Sequence, residues 1–176
     1  RHLVQGNRVM GDVAWMREHS RPVVLVHGFL GTRGTMLPLA RRLQSDGFVT
    51  FNYTYGTFQT GSLRASAEGL IKDLRRIRGE LGVEKFDVVA FSMGGLVAVH
   101  ALKYLQGHEM IDRVVTLGSP FAGTWVGVAG VAALGALSPS VWQVLPGSPF
   151  LQELRDAPLH VNTQLRQIHG KSDRFC

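Results

Sequence analysis

The run Val88-Val89-Ala90-Phe91-Ser92-Met93-Gly94-Gly95-Leu96-Val97 constrains the fold more than any other stretch of the chain. An apolar strand-like segment stops at a serine, two glycines follow almost at once, and an apolar segment of helical composition resumes. This is the signature of a strand turning directly into a helix. So tight a turn strains the serine backbone, and a side chain at Gly94 would collide with the incoming strand or the outgoing helix. Serine and glycine also end ordinary buried strands, but a strand on one side and a helix on the other favour the strained junction. Ser92 is then held exposed at a strand end, where a hydroxyl can attack.

A second stretch lies upstream. Pro22-Val23-Val24-Leu25-Val26 reads as a buried parallel strand, and His27-Gly28-Phe29-Leu30-Gly31-Thr32 follows as a glycine-rich loop. Acyl transfer to a serine generates an oxyanion, which needs preorganised donors about 3 Å away. The backbone N–H of Met93, just after Ser92, is one candidate donor, and that of Phe29 is the other. Gly28 lets the backbone approach a substrate closely. His27 reads as a structural residue that holds the loop by hydrogen bonds rather than as a catalytic base.

Taken together, these residues resemble those of the α/β-hydrolases, above all the small bacterial lipases and esterases. The resemblance is carried by Val23–Gly31, by Ala90-Phe91-Ser92-Met93-Gly94-Gly95-Leu96 and by Val114–Thr124. It runs from about Pro22 to the C-terminus. Ala90 stands where the pattern Gly-x-Ser-x-Gly has its first glycine, a departure some bacterial lipases share. Phe121 stands where these enzymes often have histidine. The resemblance implies an α/β fold with a mostly parallel central sheet flanked by helices. It also implies a serine hydrolase that cleaves carboxylic esters of apolar acids through an acyl-enzyme at Ser92. His27, Gly28, Phe121 and Trp125 would then lie on the substrate side. A thioesterase or acyltransferase would use the same parts, and a non-catalytic binding module of this fold is the reading from another class.

In this fold the chain order is serine, then acid, then histidine. Asp173, three residues past Gly170, is the expected acid, in preference to Asp156, which sits beside Arg155 at a helix end. None of the seven histidines follows Asp173. His2 and His19 precede the core, His27 belongs to the loop, and His100 and His108 lie on or after the helix that follows Ser92. His160 and His169 remain, and either would break the family's order. The expectation is therefore a sheet lacking the final strand and helix of the fold, with an exposed edge and a missing base. A naturally shortened family member is the alternative. Such an edge must be covered by another chain or will promote self-association.

The remaining pattern alternates strands and helices, as a parallel sheet covered on both faces requires. It predicts a helix over Thr35–Ser45, a strand over Phe48–Tyr53, and a helix from an N-cap at Ser62 to about Leu81, closed by Gly82. Strands at Phe86–Phe91 and Ile111–Leu117 flank a helix at Gly94–Leu105, and a last strand is expected at Asn162–His169. The 176 residues read as one domain, with 1–21 as an N-terminal extension. Val114 to Gln152 contains no charged side chain. Its small, apolar part, Phe121–Leu137, is too short to span a bilayer. It reads either as a buried helix or, in preference, as part of a cap over about 121–158 whose Trp125, Val128 and Leu134 face an acyl chain.

A net charge of +6 invites a nucleic-acid partner, but the arginines are spread along the chain. The densest group, Arg75-Arg76-Arg78, has Asp73 and Glu80 on the same helix, which makes it a solvated face and argues against nucleic acid. The charge is compatible with contact to an anionic lipid surface. No cofactor or metal is expected: there is no Cys/His ligand cluster, and the glycine loop lacks the lysine-serine of a P-loop. The lone Cys176 forms no internal disulfide. The start at Arg1-His2-Leu3, without signal peptide or initiator methionine, is compatible with a cytoplasmic origin and slightly better with secretion after processing.

Overall fold

Short apolar strands alternate with amphipathic helices, and the chain folds accordingly into a sheet with helices on both faces. The structure is a computed structural model that describes residues 9–10, 21–29, 31–54, 61–124 and 138–171, with backbone alone at 9, 10 and 33. The strands are β1 (Val9–Met10), β2 (Val23–Val26), β3 (Thr50–Tyr53), β4 (Phe86–Phe91), β5 (Ile111–Leu117) and β6 (Gln164–Ile168). The helices are α1 (Leu37–Ser45), α2 (Leu63–Leu81), α3 (Met93–Tyr104), α4 (Pro139–Gln143) and α5 (Pro149–Asp156). The spatial order is β1-β3-β2-β4-β5-β6. β2 to β6 are parallel, and β1 adds two antiparallel residues to the β3 edge.

All four residues of β2 are buried, as in a parallel strand covered on both sides. On one face Val24, Val26, Phe51, Val88, Ala90 and Val114 pack against α2, α3 and α5 in the main core. On the other, Val23, Leu25 and Val89 meet Met36, Ala40, Leu39 and Leu43 around α1. Side chains alternate across a strand. Phe91 therefore shares the face of Val89, and it is 42% exposed. In register with it run Leu117 and Ile168, the latter 58% exposed.

Ser62 caps α2 by accepting from the N–H of Arg64, and Gly82 closes it in the left-handed region at φ 65°, as the sequence predicts. Thr35–Ser45 is not one helix. A 3-10 turn, Arg33–Met36, precedes α1 and is held by a capping box between Thr32 and Thr35. Pro38 then sits in the first turn of α1, where its missing N–H costs nothing. The strand expected over Phe48–Tyr53 begins at Thr50, where the bond from Val23 N–H to Val49 O opens its parallel ladder with β2. The helix after Ser92 starts one residue earlier than expected, at Met93, and the last strand is confined to Gln164–Ile168. The stretch expected as a cap contains two short helices, each opened by a Ser-Pro pair. Phe150, Leu151 and Leu154 of α5 belong to the main core. Lys103 of α3 donates to the carbonyls of Leu154 and Ala157, which fixes that helix in place.

Candidate active site

Ser92 occupies the junction between β4 and α3 with φ 53° and ψ −128°. Only Ser92 and Gln106 have positive φ among the described non-glycine residues. A conformation so rare for an L-residue persists only where its surroundings over-determine it. The Ser92 N–H donates to the carbonyl of Leu117 at 2.8 Å, and its own carbonyl accepts from the N–H of Gly95 at 3.0 Å. The residue is thus pinned to β5 on one side and to the first turn of α3 on the other.

The glycines show how closely the neighbouring backbones approach. A Cβ added to Gly94 would lie 2.5 Å from the carbonyl oxygen of His27 and 2.7 Å from that of Val26. The first turn of α3 therefore rests directly on the end of β2. A Cβ at Gly28 would come within 2.9 Å of Ser92 Cβ and 3.4 Å of its Oγ. The loop after β2 thus passes over the serine at contact distance. That loop is itself tight: the N–H of Gly31 donates to Gly28 O, and a side chain at Gly31 would strike that oxygen and the ring of His27.

His27 is 1% exposed, and its Nδ1 lies 3.0 Å from the carbonyl oxygen of Gly28. Phe29 is partly buried against the main core. Met93 is buried as the first residue of α3. The opening N–H groups of a helix have no intrahelical partner and carry the positive end of its dipole. Phe121 also packs partly buried against the main core, on a loop fastened by Phe121 N–H to Ser119 O and Gly123 N–H to Pro120 O. Trp125 and Asp173 lie outside the described residues.

The two candidate histidines fall at opposite ends of the sheet. His169 follows β6 directly, on the same side as Ser92. Because Phe91, Leu117 and Ile168 are in register, Ser92 and His169 sit two strand spacings apart, about 10 Å along the sheet. His160 precedes β6 and stacks on His108, with ring centroids 4.1 Å apart, at the N-terminal ends of β5 and β6. The structure does not bring it to Ser92. Asp156 is exposed at the end of α5.

The layer behind the elbow is polar at a few points, each with a partner or a physical consequence. Tyr53 donates from its hydroxyl to the carbonyl of Ser66 over Gly69, and burial, aided by the Asp73 carboxylate, pushes that phenol far above its ordinary range. His100 on α3 is 4% exposed and stacks on Tyr104 and Phe150. Its desolvation, and secondarily the Arg64 charge, lower its pKa, with Glu153 opposing. Arg76 pairs with Glu80 at 2.8 Å and more loosely with Asp73 at 3.8 Å along α2. No helix among the described residues is long and apolar enough to cross a membrane.

A strand-to-helix serine elbow, a glycine loop folded over it and a parallel sheet in this strand order define the α/β-hydrolase class. The chain belongs to that family: the profile described as "alpha/beta hydrolase fold" matches residues 21–147. Lipase B of Pseudozyma antarctica is 28% identical over 145 residues, covering 78% of this chain and 41% of that protein. A lysosomal thioesterase PPT2 homolog of Drosophila melanogaster is 29% identical over 108 residues, covering 60% of this chain and 37% of that one. The mature Bacillus licheniformis lipase BlEst2 superposes with a TM-score of 0.71 at 21% identity, over 84% of this chain and 64% of that one. The chain therefore spans less than two thirds of the length of each of these proteins, and the solved structure speaks for the fold alone.

Proposed function

We propose that this chain carries the nucleophile and oxyanion site of a serine hydrolase that cleaves carboxylic esters through an acyl-enzyme. The observation that carries the reading is Ser92 itself: a non-glycine residue held at φ 53° on a strand end, with Gly28 against its side chain. In the proposed reaction Ser92 Oγ attacks the ester carbonyl while a histidine oriented by Asp173 takes its proton. The N–H groups of Phe29 and Met93 hold the oxyanion as it forms. Collapse expels the alcohol, which takes the proton from the histidine, and water then reverses the sequence to release the acid. Lipase relatives act on ester or lipid substrates, and an apolar acyl group suits Phe29 and Phe121. Contact with a lipid surface and covering of the β6 edge by another chain belong to the same proposal.

The test is hydrolysis of a short-chain p-nitrophenyl ester by the protein and by Ser92→Ala, with fluorophosphonate labelling of both. Loss of about 10⁴-fold or more in rate, together with stoichiometric labelling at Ser92, is the expected result. A folded protein that neither hydrolyses nor labels would favour the non-catalytic binding module. The thioesterase relative motivates a second reading, thioester hydrolysis at the same serine. Comparing kcat/KM on an oxygen ester and its thioester of the same acyl chain separates the two.

A further inference from the structure

The second glycine after the nucleophile has a counterpart on the loop that follows the neighbouring strand, β5. A Cβ built on Gly95 would overlap Ser119 Oγ, and it would lie 2.8 Å from Ser119 Cβ and 3.1 Å from Thr116 Cγ2. The side chain of Ser119 thus occupies the space that a side chain at position 95 would take. Ser119 Oγ is buried and has no hydrogen-bond partner among the described residues. Thr116 Oγ1 beside it is in the same state. A buried hydroxyl without a partner lowers stability, so hydrogen bonding within the described structure does not account for a serine here. Shape does.

The end of β5 and the loop that follows it meet the elbow at two points. Leu117 O accepts from the N–H of Ser92 at 2.8 Å, and two residues later Ser119 fills the hollow over Gly95, one turn into α3. Between them Gly118, at φ 53°, donates its N–H to Ile168 O at 2.8 Å and ties the loop to β6. We infer that Ser119 is a positioning residue whose side chain, seated against the Cα of Gly95, fixes where Ser92 Oγ stands relative to the loop after β5 and the end of β6. The inference rests on the reading of Ser92 as a nucleophile. Its catalytic weight comes from the steep dependence of rate on the placement of reacting atoms.

The experiment moves the side chain across the contact. Gly95→Ala, Ser119→Gly and the double variant are compared for kcat and KM on a p-nitrophenyl ester, for fluorophosphonate labelling and for melting midpoint. Gly95→Ala is expected to lower kcat about 100-fold with KM within about twofold. Adding Ser119→Gly should recover at least about tenfold of that loss and raise the midpoint, because neighbouring sites that share one space are not additive. Ser119→Gly alone should lower kcat several-fold, by roughly 3- to 10-fold, with little change in KM. A double variant no better than Gly95→Ala in rate and midpoint overturns the inference, as does Ser119→Gly with unchanged kcat. If Gly95→Ala does not fold, folding of the double variant is the expected rescue, and failure of both to fold overturns it. If Ser92→Ala keeps its activity, the nucleophile reading fails and the positioning role falls with it. The coupling of the two sites in melting midpoint still decides the contact itself.

Discussion

Ser92 stands half-buried at a strand end, on a backbone that is unfavourable for any side chain. A non-glycine residue in a sparsely populated conformation costs of order 1–3 kcal/mol, a cost met here by the bond to Leu117 and the packing of α3 on β2. Removing the side chain should therefore separate stability from activity. Ser92→Gly is expected to be more stable than Ser92→Ala by about 1 kcal/mol in urea unfolding, because only glycine is unstrained at φ 53°, while both lose hydrolysis. Equal stability of the two variants would show that the backbone relaxes without the glycine and that the strain is not held by the surroundings. The residue types of this site were readable in advance because a turn this tight admits few alternatives. The partnership of Gly95 with Ser119 was not: it joins residues 24 apart whose proximity depends on the parallel pairing of β4 with β5. A second consecutive glycine was the one local hint that something packs there.

Among the helices, α3 links the elbow to the rest of the core, and α5 closes its outer side through Phe150 and the two carbonyls held by Lys103. His100 lies between these helices, kept neutral by burial. Its folded pKa is below the ordinary value of 6.5, so the unfolded chain binds the extra proton first as pH falls. Its share of stability is complete above pH 6.5 and is lost progressively on acidification until the folded form also protonates. The urea midpoint should thus decline as the pH falls through 6.5 and below, and His100→Gln should flatten that slope even though it lowers the midpoint throughout. An identical slope in the variant would locate the pH dependence elsewhere. Helix ends were legible where a single residue supplies the cap, as at Ser62 and Gly82. The 3-10 turn before α1 and the packing of α5 against the main core were not. The first depends on a reciprocal side-chain bond between Thr32 and Thr35, and the second on which face of a short amphipathic helix meets α3.

At the scale of the molecule, the described sheet ends on β6, whose residues are exposed apart from Leu165. Phe91, Leu117 and Ile168 form an apolar row leading to that edge at its C-terminal end, and Val161, before the start of β6, is 91% exposed. An open parallel edge with apolar neighbours is a template for further pairing. Concentration-dependent association is the expected behaviour of the 176-residue chain, read as a rising weight-average mass in light scattering; a mass that stays monomeric across the accessible range would show the edge to be protected. The class of fold, the strands from β2 to β6, the serine and its glycines were legible in the sequence alone, because they follow from local rules: hydrophobic period, capping chemistry and the steric limits of one turn; β1, inside what reads as an N-terminal extension, was not. Which residues stand together was decided only by the tertiary structure. Strand order and register put Gly28 against Ser92, Ser119 against Gly95 and His169 at the same end of the sheet as the elbow, while they carry His160 to the far end against His108. Those pairings join segments tens of residues apart, and their proximity is set by how the strands assemble, which no local pattern along the chain encodes.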